Sequence, residues 1–364
     1  MKKMIMIAVG ILLTIIIGIF FINEANPDTE ITKNVTKVGF LYNGEIDDHG
    51  WGQSHYEGIS ASARELNLEI IYAENVPFDE TCVVTMENMI SQGCEIIICN
   101  SYNYGEWILQ VAEQHPEVVF FHATGVENAS NVSTYFGRMY QVRYLCGIVA
   151  GMQTQTNEIG YVAAYAIPEV NRGINAFTLG VRSVNPEANV HVRFSESWTE
   201  DEANGAAARE LIENKNIDVL AMHCDSIAPL SVAEEEGVWS IGYNMDNSEL
   251  YPESFLTAAV WNWEEFYTPQ IMTYLQGKFH ADNYWVDMES GLIDLSPLTD
   301  NVVPGVAEEV EARMELLRSG TVDVFYGPIW DNEGELRIGE GESMPDSAML
   351  NSFDWYVEGV VIYE

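Results

Sequence analysis

The sequence predicts an α/β protein with two doubly wound parallel sheets. From Lys37 onward, short apolar runs alternate with segments of helical spacing, which is the pattern of repeated β-α units with helices on both faces of a sheet. The chain has 364 residues, of which 47% are hydrophobic, enough for two cores of ordinary size. It contains more β-α units than one small sheet accommodates. We therefore expect two lobes, each with its own core.

Apolar runs that stop at polar residues or glycine predict the strands. In chain order they are Val38–Leu41, Leu68–Tyr72, Glu95–Cys99, Val118–His122, Val132–Phe136, Ile159–Ala163, Val190–Phe194, Val219–Met222, Trp239–Ile241 and Phe255–Ala259. After Gly277 the alternation weakens, and the sequence predicts only one clear helix there.

Helical spacing predicts a helix after most of these strands. The predicted helices are Gln53–Leu66, Cys82–Ser91, Glu106–Gln114, Met139–Gln153, Val170–Val184, Thr199–Glu213, Ile227–Glu236 and Val306–Leu317. Pro116 and Pro186 follow two of them and mark their ends. Thr199 and Glu202 have the spacing of a capping box. In this motif the side chain of each residue accepts a hydrogen bond from the backbone N–H of the other.

The N-terminal segment has the features of a membrane anchor. Lys2 and Lys3 precede the uncharged run Met4–Ile22, whose 19 residues span about 28 Å at ~1.5 Å per residue. The positive flank favours a cytoplasmic N-terminus with the rest of the chain outside. We expect residues 1–23 to be an uncleaved anchor rather than a cleaved signal segment, and residues 24–36 to be a polar linker. No cysteine precedes Cys82, so a lipid anchor on an N-terminal cysteine is excluded.

Charge and cysteine content exclude several classes of function. The formal charge of −40 would repel nucleic acid, so no nucleic-acid partner is expected. The charge is spread along the chain, which is typical either of an ordinary solvated surface or of a saline or alkaline habitat. Cys94 and Cys99 stand at opposite ends of one predicted strand, too far apart for a disulfide. No Cys/His pattern indicates zinc, and we expect no metal or cofactor.

The loop Asp47–Gly52 follows the first predicted strand, where ligands bind in open α/β sheets. Its two carboxylates beside His49 would allow a metal site or acid–base chemistry, but adjacent loop residues seldom converge on one ion. We favour a loop that presents Trp51 to a flat ligand, with Asp47 nearby and glycines permitting close backbone approach.

The third predicted strand ends in a similar polar and aromatic group. Tyr102 and Tyr104 either stack on a ligand or pack in the core. Asn103 between them offers both a donor and an acceptor, as reading the edge of a nucleobase requires.

Three further groups of candidate residues follow later strands. His223-Cys224-Asp225 suggests a nucleophile, but consecutive strand residues point to opposite sides, so Asp225 is better read as a hydrogen-bond acceptor. Asn244 and Asp246 lie beyond Gly242 and form either a ligand contact or a surface turn. Trp261 and Trp263 alternate, so one of the two rings should face the cleft. The sequence contains no assembled nucleophile, which argues against an enzyme.

These residues, together with four further motifs, resemble the BMP family (basic membrane protein, PnrA-like) of ABC-importer substrate-binding proteins. The motifs are Tyr135–Arg138, Arg172–Phe177, Ala228–Leu230 and Asp354–Val361. The resemblance implies a type I periplasmic-binding-protein fold, whose two lobes are joined by three crossovers and close on the ligand. We expect crossovers near Gly137, Tyr251 and Ser290. Lobe 1 then comprises residues 37–137 and 252–290, and lobe 2 residues 138–251 and 291–364.

The same resemblance implies capture of a purine for an ABC permease and its ATPase. By motif, the loop Asp47–Trp51, Tyr104, Phe177, Asp225 and Asp246 fall at ligand-facing positions. Nucleoside-binding members carry a Val-Lys pair whose Lys contacts the sugar, whereas this chain has Val260-Trp261. We therefore expect a free base of the guanine or hypoxanthine type. Purine nucleoside binding, a tethered sensory ectodomain and an enzyme acting on nucleosides remain the alternatives.

Overall fold

The computed structural model describes residues 35–363. The expected anchor, residues 1–23, and residues 24–34 of the expected linker lie outside this range. None of the described helices is both long and apolar enough to cross a bilayer.

Fifteen strands are present within residues 35–363. They are β1 (Lys37–Leu41), β2 (Glu69–Ala73), β3 (Cys94–Cys99), β4 (Val119–Ala123), β5 (Val132–Gly137), β6 (Glu158–Ala163), β7 (Asn189–Phe194), β8 (Val219–His223), β9 (Trp239–Asn244), β10 (Phe255–Trp261), β11 (Asn283–Val286), β12 (Ile293–Leu295), β13 (Ile329–Trp330), β14 (Leu336–Ile338) and β15 (Val360–Tyr363). The first ten correspond to the ten predicted strands, because each apolar run ends where the chain turns polar.

The same range contains ten α-helices. They are α1 (Trp51–Leu66), α2 (Glu80–Ser91), α3 (Gly105–Gln114), α4 (Tyr140–Gln153), α5 (Pro168–Val184), α6 (Asp201–Lys215), α7 (Ala228–Glu236), α8 (Glu264–Leu275), α9 (Val306–Arg318) and α10 (Asp346–Asn351). Two short 3₁₀ turns lie at Tyr102–Tyr104 and Met288–Ser290. The capping box expected at Thr199 is absent. Helix α6 begins at Asp201 without a side-chain cap, and the Ser197 hydroxyl accepts from the Glu200 N–H instead.

The strands form two large parallel sheets and one small hairpin. The first sheet has the order β11-β5-β4-β3-β1-β2 and is parallel throughout. The second sheet has the order β12-β10-β9-β8-β6-β7-β15, with only the edge strand β12 antiparallel. β13 pairs with β14. The prediction of an α/β protein with parallel sheets is therefore confirmed.

The chain passes between the two large sheets three times, after Gly137, after Trp261 and after Val286. The expected division at Pro252 was wrong for one strand. Phe255–Trp261 pairs in parallel with β9 and in antiparallel fashion with β12, so it belongs to the second sheet. The second passage therefore lies about ten residues later in the chain than expected. Trp261 consequently lies at the carboxyl end of a strand in the second sheet.

Residues after Gly320 form a segment that covers helix α5 and was not predicted. The Asn175 amide donates to the Trp355 carbonyl and accepts from the Val357 N–H. Asn171 donates to the Phe353 carbonyl in the same way. β15 then extends the second sheet beside β7. Each contact joins residues about 180 positions apart, so no local sequence pattern encodes the segment.

Candidate functional site

The carboxyl ends of the two sheets face each other and are in contact. The Asn247 amide donates to the His49 carbonyl over 3.3 Å. A methyl group on Gly50 would lie 2.8 Å from the Asp225 carbonyl oxygen. The loop after β1 thus contacts the residues after β8 and β9, and the polar strand ends of both sheets border one cleft.

Asp48 holds the first-sheet loop in place. Its carboxylate accepts from the N–H groups of Gly50, Gly52 and Gln53 at 2.7–2.9 Å. These N–H groups belong to the start of α1, where backbone donors have no partner within the helix. The neighbouring Asp47 is exposed at the rim of the loop. Asp48 is therefore the structural carboxylate of the pair, and Asp47 remains available to solvent.

Four rings from both sides of the cleft form an aromatic cluster: Trp51, His55, Trp261 and Trp263. The Trp263 ring lies between Trp261 and His55, with centroids 4.5 and 4.0 Å away and planes tilted by 10° and 12°. Trp51 stands nearly perpendicular to all three, at 4.3–5.8 Å. Trp261 ends a strand of the second sheet, whereas Trp51 and His55 lie on α1, so the cluster joins the two sides.

A directed chain of hydrogen bonds leads from this cluster to Asp225. The Trp261 indole N–H donates to Asn244 Oδ1 over 3.1 Å, and Asn244 Nδ2 donates to Asp225 Oδ1 over 2.9 Å. An indole N–H can only donate, so the amide oxygen must face Trp261 and the amide nitrogen must face the carboxyl group. Trp261 therefore fixes the direction of the Asn244 amide, which in turn donates to the Asp225 carboxyl group.

Burial raises the pKa of Asp225 to about 7, and the nearby charges of Asp48 and Glu169 act in the same direction. The hydrogen bond from Asn244 opposes this rise, because it stabilises the ionised form. The group therefore changes its charge near neutral pH. A perturbed carboxyl group in a cleft is typical of a functional site.

A second polar group lies on the same edge of the second sheet. His223 ends β8, and its two ring nitrogens lie 3.1 Å from Tyr161 Oη and 3.1 Å from Glu169 Oε1. Burial lowers the pKa of His223 to about 4, so the ring is neutral at pH 7. Glu169 is an ionised carboxylate and can only accept a hydrogen bond, so the neutral imidazole donates to it from Nε2–H. The other ring nitrogen, Nδ1, then accepts from the Tyr161 hydroxyl.

The guanidinium of Arg143 lies behind this group, 3.9 Å from the centroid of the Tyr243 ring. One of its nitrogens donates to the Met222 carbonyl. The side chain is almost completely buried, so it contributes positive charge to the edge without being exposed in the cleft. Neither Arg143 nor Glu169 was predicted, since each stands inside a helix with no local polar pattern.

The structure brings together four of the ten predicted site residues: Trp51, Asp225, Asn244 and Trp261. The others lie elsewhere. Tyr104 is enclosed in the core beneath α2 and α3, where its hydroxyl donates to the Val76 carbonyl. Phe177 is buried beside Tyr161 in the core of the second sheet. The remaining four, Asp47, Tyr102, Asn103 and Asp246, are exposed on loops or turns, and Asp246 accepts from the Ser248 N–H.

This region combines hydrogen-bonding groups with largely buried aromatic rings and has no activated nucleophile among the described residues. Burial raises the pKa of the Cys224 thiol well above its ordinary value, so it is no thiolate at neutral pH. Residues 35–363 contain no group of three or more His, Cys, Asp or Glu side chains arranged to hold a metal ion. The arrangement therefore fits recognition of a planar ligand that can form hydrogen bonds.

Comparison with known proteins yields one family model and several relatives. The model of the ABC transporter substrate-binding protein PnrA-like family matches residues 35–319. The chain is 37% identical to a putative ABC transporter glucose-binding protein of Haloferax volcanii over 89% of this chain and 80% of that protein. It is 33% identical to a purine-binding protein of Brucella abortus, over 89% and 92%. An ABC transporter solute-binding protein of Aeropyrum pernix has a similar fold, with a TM-score of 0.70 at 15% identity over 79% and 92% of the two chains.

Proposed function

The chain belongs to the PnrA-like family of ABC transporter substrate-binding proteins, and we propose that it captures a purine base of the guanine or hypoxanthine type. The observation that carries the proposal is the hydrogen-bond chain Trp261–Asn244–Asp225 beside the aromatic cluster. A flat ring stacks on aromatic side chains, and a fixed carboxylate accepts from ring N–H groups. Guanine and hypoxanthine present such N–H groups beside a carbonyl oxygen. The family is not a class of enzymes, and we propose binding without chemistry.

Trp261 favours the base over its nucleoside. The resemblance to the family implies that it takes the position at which nucleoside-binding members carry a Lys that contacts the sugar. Its ring is stacked on Trp263 and its N–H is bonded to Asn244, so no cation occupies that place. The positive charge of Arg143 acts on Asp225, but this side chain is buried against the Tyr243 ring. A ribose would therefore lack the carboxylate–cation pair that commonly holds its hydroxyls.

Guanine is expected to bind more tightly than guanosine, adenine or glucose to the compact unit Thr36–Glu364. Titration calorimetry on the four ligands measures the order directly. Adenine tests the carboxylate acceptor, because its amino group replaces the carbonyl oxygen and N1 carries no hydrogen. Glucose tests whether the ligand class follows the Haloferax relative. A nucleoside that binds tenfold more tightly than its base would contradict the proposal.

We propose that ligand capture closes two lobes, one on each large sheet. A ligand that contacts both edges lowers the energy of the closed form and shifts an existing equilibrium toward it. We also propose that the protein is held at the outer face of the membrane by residues 1–23 and delivers its ligand to a permease and an ATPase. A tethered sensory ectodomain is the alternative. Purine uptake by cells with and without this protein separates transport from sensing.

Gly50→Ala is expected to weaken guanine binding by about 5- to 150-fold. The added methyl would lie 2.8 Å from the Asp225 carbonyl across the cleft, and such overpacking costs ~1–3 kcal/mol. Solution scattering should show a larger radius of gyration for this variant at saturating guanine. Gly44→Ala is the matched control, because no atom lies within 4 Å of its added methyl in the same loop. Equal affinity for both variants would argue against closure by this contact.

A further inference from the structure

Asn100 follows β3 at the cleft-facing edge of the first sheet and has no accessible surface. Its Oδ1 accepts from the Asn43 N–H over 3.0 Å, and its backbone carbonyl accepts from the Trp51 indole N–H over 2.9 Å. Its Nδ2 has no hydrogen-bond partner among the described residues. The residue is thus tied to the aromatic cluster through Trp51, yet it retains an unused donor.

The orientation of this amide is fixed by its neighbours. A backbone N–H can only donate, so the oxygen of the Asn100 amide must face Asn43. Exchanging the oxygen and the nitrogen would place two donors against each other. The NH₂ group therefore points away from Asn43 and stays without a partner among residues 35–363. Because nearly all buried polar groups in folded proteins are paired, an unpaired donor at this position indicates a missing acceptor.

The position of Asn100 complements that of Asp225. Trp51 bonds the Asn100 carbonyl and contacts the Trp261 ring at 5.8 Å. Trp261 in turn leads through Asn244 to Asp225 on the second sheet. The aromatic cluster is thus linked to Asn100 of the first sheet through Trp51, and to Asp225 of the second sheet through Trp261 and Asn244.

We propose that Asn100 is a ligand-binding residue whose amide N–H donates to the 6-carbonyl oxygen of the purine, while Asp225 accepts from a ring N–H. This inference rests on the proposed function and names the side chain that would recognise the 6-oxo group of its ligand. Adenine carries an amino group at the same position, which would meet the Asn100 donor with another donor. A site built to bond one group rejects an analogue that leaves a buried polar atom unpaired.

The test compares guanine with 6-thioguanine, which keeps the ring N–H groups but replaces the carbonyl oxygen with sulfur, a poorer acceptor. Both are titrated against the full chain, Asn100→Asp and Asn100→Ala. Asn100→Asp keeps an oxygen for the Asn43 N–H, removes the donor and adds a negative charge, whereas Asn100→Ala removes the donor without adding charge. We expect each variant to lose about 10- to 100-fold in guanine affinity and to lose the preference for guanine over 6-thioguanine.

Asn88→Asp, exposed on α2, controls for the added negative charge, and thermal melting shows whether each variant is folded. Asn103→Asp tests the competing assignment of the neighbouring exposed amide. If Asn100→Asp does not fold, Asn100→Ala decides alone. The inference is overturned if Asn100→Ala keeps the guanine affinity of the parent, or if Asn103→Asp loses that affinity and the Asn100 variants do not. Either result leaves the proposed function intact. A parent chain that binds no purine removes both.

Discussion

Trp263→Ala is expected to lower the free energy of unfolding by about 3–5 kcal/mol. The indole is completely buried between Trp261 and His55, at 4.5 and 4.0 Å, with its N–H bonded to the Ser54 hydroxyl. The backbone of α1 also approaches it closely, since a methyl on Gly58 would lie 2.5 Å from Trp263 Cβ. Truncation would leave a cavity that such a tightly packed region cannot close, so the loss should fall in the upper part of the range for large-to-small changes.

Urea denaturation of the two forms measures this difference at constant slope. Trp330→Ala is the matched control, because that indole is 47% exposed on the hairpin β13–β14 and should cost less than about 1 kcal/mol. Trp263→Phe should fall between the two, because it keeps a stacked ring but loses the bond to Ser54. A loss below about 1 kcal/mol for Trp263→Ala would mean that the aromatic cluster does not stabilise the fold.

The positions of most strands could be predicted because the information is local. Each apolar run ends at polar residues such as Asp225 or Asn244, and the parallel order of the sheets brings those ends to one edge. This is why the amino-acid sequence alone predicts that Trp51, Asp225 and Asn244 are neighbours. The segment after Gly320 could not be predicted in the same way, because side chains of a distant helix, Asn171 and Asn175, hold it in place.

Sheet membership and side-chain direction depend on contacts that are distant in sequence, and for that reason the structure places two predicted features differently from what was expected. The strand Phe255–Trp261 was assigned to the first lobe, but its pairing with β9 places it in the second sheet. The amide expected at the cleft was Asn103. A 3₁₀ turn over Tyr102–Tyr104 instead exposes Asn103 and buries Tyr104, leaving Asn100 at the strand end. Neither composition nor residue spacing indicates which of two asparagines three residues apart the turn exposes and which it leaves buried.

Asp225→Asn is expected to make the ligand-free protein more stable at pH 8 by about 2–4 kcal/mol. The pKa of this carboxyl group rises from 3.8 in its ordinary state to about 7 in the folded chain, chiefly through burial. The folded state thus favours the protonated form, and ionisation is a cost of folding. That cost is absent below about pH 4, grows as the pH rises toward 7, and is complete above it. An amide carries no charge, so the variant avoids the cost.

The gain in stability should therefore depend on pH in a defined direction. Urea denaturation between about pH 4 and pH 8 should give the same stability for both forms at the acidic end and a growing advantage for Asp225→Asn toward the alkaline end. Asp300→Asn, exposed at the surface, is the matched control and should show no such trend. A variant that is less stable than the parent at pH 8 would mean that the carboxylate stabilises the fold, contrary to its raised pKa.

The same substitution should weaken guanine binding by about 10- to 150-fold at pH 8, since a charge-assisted hydrogen bond contributes ~1.5–3 kcal/mol. In the parent chain the affinity should fall as the pH drops below about 7, because protonation of Asp225 removes the negative charge that strengthens its hydrogen bond to the base. In Asp225→Asn the affinity should hardly change over that range. Calorimetry of both forms at several pH values tests the pH dependence expected of the parent and its absence in the variant. A parent affinity that rises toward acidic pH would instead mean that Asp225 acts as a donor. Opposite effects of one substitution on stability and on affinity are expected of a binding residue, because the buried carboxylate that destabilises the empty protein is the group that the bound base would satisfy.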